Sequence, residues 1–230
     1  MSTPRLHVGT SGFSYDEWRP TFYPADVKKA GMLSYYASQL PSVELNNTFY
    51  RMPKRETVAK WAEQVPESFR FAVKAPRRFT WSLKLVDCGA DLSHLMEQLE
   101  PLGPRLGCVF FQVPKFVAFD ASVLDGFLAE LPADVRVALE FVHESWHVPE
   151  VADRVYGAGA TIVASDRDDG EPPELDGAAP WTYLRLRRAS YTDEDLAAWR
   201  ARLAERDAFV FFKHEDTAAG PAMARRFMPL

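Results

Sequence analysis

The sequence predicts a single-domain (β/α)8 barrel of the TIM type, with a loop in place of the helix after the sixth strand. Three observations carry this. Eight short β-type runs alternate with helix-type segments, the pattern of a parallel sheet with crossover helices. The run 107–114 is apolar on both faces except for Gln112, as a strand covered on both sides must be. The chain has 230 residues and no Gly/Ser-rich linker, close to the length of about 250 at which such barrels form one domain.

Residues 6–10 form the first strand, closed by a turn at Thr10-Ser11-Gly12. Residues 13–24 are aromatic, contain Pro20 and Pro24 and lack periodicity, which suits a long loop over one end of the barrel. That loop is expected to act as a lid, to plug the mouth with its rings, or to offer exposed aromatics to a partner protein. A helix over 28–39 places Leu33, Tyr36 and Ala37 on one face. In the second strand Val43 and Leu45 alternate with Glu44 and Asn46, and Pro53-Lys54-Arg55-Glu56 opens the next helix, 55–64, with Val58, Trp61 and Ala62 at helical spacing. The third strand is 69–75, followed by a loop over 76–87 and a helix over 90–100 striped by Leu92, Leu95, Met96 and Leu99. Strands at 107–114, 135–141 and 160–166 are separated by helices at 120–130 and 149–157. Residues 167–180 are acidic, rich in Gly and Pro, and have no apolar face, so a mobile loop is expected there. The seventh strand is 181–187, and Thr192-Asp193-Glu194-Asp195 caps a helix to about 205. The eighth strand, 208–213, and a helix over 218–228 complete the set.

A net charge of −5 supplies no global basic field, so nucleic acid is not favoured as a partner and would need a local patch. Cys88 and Cys108 lack Cys-x-x-Cys spacing and read as reduced, partly buried thiols. The N-terminal residues carry no apolar signal-peptide core, and no apolar run nears the roughly 18 residues of a membrane span. A cytoplasmic protein without membrane contact is the expectation, and the oligomeric state is open.

In such a barrel the chemistry sits at the C-terminal ends of the strands. Those ends carry Glu44 and Asn46, Lys74, Gln112, Glu140, Asp166, Arg185 and Arg187, and Lys213 with His214 and Glu215. Period-2 alternation supports an inward set, because an inward Glu140 also turns the small Ala138 inward and Lys74 does the same for Ala72. Lys74, Arg185, Arg187 and Lys213 outnumber Glu44, Glu140 and Asp166. A small anionic or phosphate-containing ligand is therefore expected, with Arg able to grip it bidentately.

Alternatives stay open at this point. Glu44, Glu140, Lys74 and Arg185 could simply neutralise one another in a buried network. No cofactor is expected, but Glu44, Glu140, His143, Asp166, His214 and Glu215 are ligand types for a divalent metal, without diagnostic spacing and with lysines nearby to repel a cation. Glu44 and Glu140 could be a glycosidase pair, although the lysines would hold both ionised when one must be protonated. His143-Glu144-Ser145 are neighbours in sequence without a nucleophile elbow; Ser145 reads as a helix cap and Trp146 as packing, while His143 is either a pocket acid–base or a structural hydrogen-bonding group.

Several ordered motifs bear a family likeness. Val8-Gly9-Thr10-Ser11-Gly12-Phe13-Ser14-Tyr15 with Trp18 and Phe22-Tyr23-Pro24, Val43-Glu44-Leu45-Asn46-Asn47-Thr48-Phe49-Tyr50, Phe71-Ala72-Val73-Lys74-Ala75, Phe111-Gln112-Val113-Pro114 and Glu140-Phe141-Val142-His143-Glu144-Ser145-Trp146 resemble, along essentially the whole chain, the domain of unknown function 72 (DUF72) family of YecE-like proteins. The resemblance implies a TIM barrel and no established activity. The chain departs from the family pattern at Val142, where Arg is usual, at Arg187-Arg188, where His-Gly is common, at Trp81, where a His often stands, and at Lys213-His214-Glu215-Asp216 in place of asparagines. Glu44, Asn46, Lys74, Gln112 and Glu140 keep the pattern.

The leading expectation is an enzyme, with hydrolysis as its candidate reaction, acting on a small anionic or phosphate-containing substrate. Glu140, Glu44 and His143 are its candidate catalytic groups; Asn46, Lys74, Gln112, Asp166, Arg185, Arg187 and Lys213 would hold the substrate. The alternatives are a metal-dependent phosphoester or nucleic-acid hydrolase and a non-catalytic binder of a phosphorylated ligand.

Overall fold

The computed structural model describes residues 5–213 and 217–228. Eight parallel strands close into a barrel in sequence order: β1 Leu6–Ser11, β2 Ser42–Leu45, β3 Arg70–Lys74, β4 Leu106–Val113, β5 Val137–Phe141, β6 Thr161–Asp166, β7 Thr182–Leu186 and β8 Ala208–Phe212. Around it lie α1 Met32–Gln39, α2 Arg55–Glu63, α3 Gly89–Leu99, α4 Ala121–Ala129, α5 Pro149–Gly157, α6 Asp193–Leu203 and α7 Ala219–Phe227. The expected TIM-type barrel is the observed fold, and residues 167–180 connect β6 to β7 without a helix.

Caps set the helix starts. Thr192 accepts a hydrogen bond from the Asp195 N–H at 3.1 Å while Asp195 accepts from the Thr192 N–H at 2.9 Å, a complete capping box for α6. Asp120 does the same work for α4 by accepting from the Ser122 and Val123 N–H groups. Two local expectations are revised. The helix over 28–39 begins as a 3-10 turn, Lys29–Gly31, before α1, and the loop 76–87 contains a π-helical turn, Arg78–Ser82.

The strands bury two apolar layers. The outer one lies between sheet and helices; the inner one fills the barrel with Ala72, Cys108, Phe110, Ala138, Val163, Trp181, Tyr183, Phe209 and Phe211. Large rings on β4, β7 and β8 sit opposite small side chains on β3 and β5. Phe110 stacks on Tyr183 at 5.3 Å and Tyr183 meets Phe211 at 5.3 Å, so the interior is a packed floor beneath the mouth. Burial raises the Cys88 thiol to about 12 and the Cys108 thiol well above its ordinary range, which keeps both as inert thiols.

β1 and β2 approach closely at Gly9, where a Cβ would lie 1.8 Å from the Ser42 carbonyl oxygen. Above that contact the Tyr36 hydroxyl donates to the Ser42 carbonyl at 3.0 Å and accepts from the Thr10 N–H at 2.8 Å, clamping α1 to both strands. The 13–24 loop packs on this same flank. Trp18, Phe22 and Tyr23 are buried, with Phe22 and Tyr23 against Tyr35 and Phe22 also against Tyr36, so these three rings are held away from the mouth, whereas Tyr15 of the same loop lines it.

One joint of the barrel is short. β5 and β6 pair only at Ala138↔Thr161 and Leu139↔Ile162, although both strands run further. Among the described residues, no helix is long and apolar enough to cross a membrane.

Candidate functional site

Strand parity builds the site. Above the aromatic floor the next inward residues are Glu44 on β2, Lys74 on β3, Gln112 on β4, Glu140 on β5, Ser165 on β6 and Arg185 on β7. Arg185 is the hub: its Nη2 lies 3.0 Å from Glu44 and its Nη1 3.0 Å from Glu140, with all three side chains almost wholly buried. Glu44 also accepts from Tyr183 Oη at 2.7 Å, Ser11 Oγ at 2.8 Å and Asn46 Nδ2 at 2.9 Å. Glu140 accepts from Gln112 Nε2 at 2.5 Å and Ser165 Oγ at 2.9 Å. Lys74 Nζ donates to Gln112 Oε1 at 2.9 Å, which extends the chain of bonds to β3 and fixes the orientation of the Gln112 amide.

These contacts decide the charges. Burial alone would raise the Glu44 pKa, but Arg185 and the Tyr183, Asn46 and Ser11 donors prevail and hold it at about 2. Glu140 is likewise held below the usual carboxylate range, burial being outweighed by Arg185, Ser165 and Gln112. Both carboxylates are ionised at neutral pH. Lys74 moves the other way: burial first, then the nearby Arg185, bring it down to about 8. Burial and Arg185 also lower Arg187.

Over this network opens a cavity of about 520 Å3. Lys74, Arg167, Arg185, Arg187 and Lys213 line it, together with Asn46, Gln112 and the rings of Tyr15, Phe49 and Tyr50. Among the described residues, five cations thus face the space, and one of them, Arg185, engages the two carboxylates beneath. The Nη1 of Arg187 is buried and finds no acceptor among the described residues. Phe49 supports the Lys74 ammonium 4.3 Å from its ring centre.

Of the ten residues expected to form the site, the structure brings together Glu44, Asn46, Lys74, Gln112, Glu140, Arg185, Arg187 and Lys213. It does not bring Asp166 or His143. Asp166 lies on the outer face of β6, fully buried, where it accepts from Arg188 Nε at 3.0 Å and Trp199 Nε1 at 3.2 Å; the inward position belongs to Ser165. His143 caps the 3-10 turn Glu144–Trp146, its Nδ1 accepting from the Ser145 N–H at 3.1 Å. Ser145 is not the cap there; its hydroxyl accepts from the Phe119 N–H at 2.8 Å. His214 and Glu215 lie outside the described residues. Among the described residues, no three His, Cys, Asp or Glu side chains gather into a metal-binding group. Sequence reasoning missed Ser11, Ser165, Tyr183 and Arg167. Register signals the first, since Ser11 is the β-partner of Glu44.

The family model described as "Protein of unknown function DUF72" matches residues 7–230. The chain belongs to the DUF72 family. Its curated relatives include the UPF0759 protein YecE of Escherichia coli K12, 29% identical over 141 residues that make up 60% of this chain and 48% of YecE. The UPF0759 protein YunF of Bacillus subtilis is 27% identical over 154 residues, 63% of this chain and 53% of YunF. The match spans about half the length of these relatives. Among solved structures, a DUF72 family protein from Thermotoga maritima superposes with a TM-score of 0.83 at 26% identity, covering 96% of this chain and 97% of its own. A DUF72 family protein from Enterococcus faecalis gives 0.76 at 17% identity, covering 97% and 94%, a likeness of fold.

Within this DUF72 barrel, four of the described positions that depart from the motif pattern lie at or beside the mouth, Lys213 lining the cavity among them. Arg187 lines the cavity, its neighbour Arg188 pairs with Asp166 behind it, and Trp81 stands half exposed at the rim.

Proposed function

We propose that this DUF72 chain is an enzyme that binds a small substrate bearing a phosphate or carboxylate in the barrel mouth, with Lys74 as the group that moves a proton at it. The observation that carries the reading is the division of charge: among the described residues, Lys74, Arg167, Arg187 and Lys213 line the cavity in addition to Arg185, which pairs with both Glu44 and Glu140 beneath it. Among the described residues, an anion entering there meets no unpaired carboxylate. It would also give the buried Arg187 Nη1 an acceptor, and a buried donor left unmade costs about 1–3 kcal/mol.

Glu140 carries the acid–base role in the sequence reading. Its geometry favours a different one, because an ionised carboxylate that already accepts from Arg185, Gln112 and Ser165 is poorly placed to exchange a proton. Lys74 suits the task better: it faces the cavity, its position is fixed by Gln112, and at about 8 it can give a proton at neutral pH and take one back just above. Glu44, Arg185 and Glu140 then act as the fixed electrostatic frame.

A thermal-shift screen against inorganic phosphate, sugar phosphates, nucleotides and dicarboxylates tests the reading. A ligand at 100 times its Kd adds about 2.7 kcal/mol of stability. The expected hit raises the melting temperature of wild type, does so far less in Arg187→Ala, and is turned over by wild type, while Lys74→Met binds it more weakly and shows no turnover even when saturated with it. A wild type that responds to none of these anions would sink the proposal.

A further inference from the structure

We infer that the substrate of the mouth carries a planar aromatic ring beside its anionic group, as a nucleoside monophosphate or another aromatic phosphate ester does. This rests on the anion reading above and adds the second half of the ligand. The loops that follow β2, β3 and β4 place four rings in one continuous arc on one side of the cavity. Phe49 meets Tyr50 at 5.4 Å and 84°, Phe49 meets Trp81 at 6.2 Å and 77°, and Trp81 meets Phe116 at 5.3 Å and 87°.

Three of these rings are displayed to solvent: Tyr50 is 75% exposed, Phe116 53% and Trp81 44%. Single exposed apolar residues are ordinary, but rings in mutual contact that stay outside the core mark a binding surface. The arc is continuous with the cationic cavity, because Phe49 and Tyr50 belong to both and Lys74 sits over the Phe49 ring. Arg77, 6.0 Å from the centre of Trp81, carries positive charge out to the rim.

The perpendicular arrangement of neighbouring rings matters. Each pair makes a corner in which a flat guest can stack on one face while meeting the edge of the other, the two geometries aromatic pairs prefer. A flat ring on this arc and a phosphate among Lys74, Arg187 and Lys213 would be satisfied together by one small molecule. The cavity volume of about 520 Å3 is within the range of small-molecule sites. A protein surface docking on the rim would use the rings and leave the cations of the cavity unaddressed.

Isothermal titration of the full chain with adenosine monophosphate, ribose 5-phosphate, adenosine, inorganic phosphate and a short 5′-phosphorylated oligothymidylate distinguishes the outcomes. Wild type should bind adenosine monophosphate about tenfold or more tighter than ribose 5-phosphate, the size of a base–aromatic stack. The double variant Trp81→Ala/Phe116→Ala, altered only at exposed positions, should lose that preference and keep its affinity for ribose 5-phosphate. Equal affinity of wild type for the two phosphates would overturn the ring inference and leave the anion reading standing. Binding of adenosine with none of any phosphate would overturn the anion reading and, with it, the joint ligand proposed here. An oligonucleotide that binds tighter than the mononucleotide would replace the small substrate with a single-stranded nucleic-acid end.

Discussion

Arg185 and Glu44 stand on β7 and β2, with two strands between them round the barrel, yet their Nη2 and Oε1 atoms meet at 3.0 Å across its interior. The same guanidinium holds Glu140, so its removal strands two buried carboxylates at once. Arg185→Met is expected to lower stability by about 3–5 kcal/mol, read by urea unfolding at pH 7. An unchanged midpoint would mean that the two carboxylates are not held by this residue.

The pH dependence of Glu44 has a defined sign. Its folded pKa of about 2 lies below the ordinary 4.5, so the carboxylate stabilises the fold fully above pH 4.5 and loses that contribution as pH falls through 2. The stability gap between wild type and Glu44→Gln should therefore be widest above pH 4.5 and close steadily below it. Acid titrations of both proteins followed by circular dichroism measure the gap.

Lys74 has the opposite consequence. Its folded pKa is about 8 against an ordinary 10.5, so holding the ammonium in place costs stability below pH 8, and the cost disappears between 8 and 10.5. Lys74→Met should be more stable than wild type at pH 7 by up to about 3 kcal/mol, less the lost bond to Gln112, and the two should converge near pH 10.5. A bound anion would favour the charged ammonium. Anion affinity should accordingly fall as pH rises through 8, measurable by calorimetry in buffers of differing ionisation enthalpy.

Ser165 and Asp166 are neighbours with separate duties. Ser165→Ala removes a hydrogen bond to Glu140, worth about 1 kcal/mol, and touches the site. Asp166→Ala uncouples Arg188 and Trp199, and should destabilise the fold while leaving the thermal response to phosphate intact. Loss of that response in Asp166→Ala would return this residue to the mouth.

Gly9→Ala should prevent a stable fold, since its methyl would have to share space with the Ser42 carbonyl. Expression followed by one-dimensional NMR is sufficient to see it.

The barrel was legible because every strand but the sixth pairs a distinct apolar run with one face assignment. Ala72 with Lys74 and Ala138 with Glu140 mark the inward face by size as well as by charge, and the structure places all four there. β6 carries Ile162 and Val163 side by side, which suits either parity, and the conspicuous Asp166 drew the assignment one residue off the inward Ser165. Of the two readings open for His143, the structure shows the hydrogen-bonding one, because the chain turns into a 3-10 segment after β5 and alternation ends where the strand does. The aromatic loop shows the limit of local reading, because Phe22 and Tyr23 find their partners on α1, more than ten residues on. Arg167 follows a strand end inside a polar stretch and gave no signal of its own.

The short joint between β5 and β6 ties the residues beneath the mouth to what keeps the barrel closed. Beyond the two backbone pairs, side chains take over the stitching, with Ser165 and Arg167 both reaching Glu140 from the far side of the gap. The inner frame is therefore poor ground for evolutionary drift, since a change at Glu140 would trade durability for selectivity in one step. If the mouth binds the ligand proposed above, new preferences would have room to arise higher in the mouth, at Arg187, Lys213 and the aromatic arc, where residues can be exchanged without opening the seam.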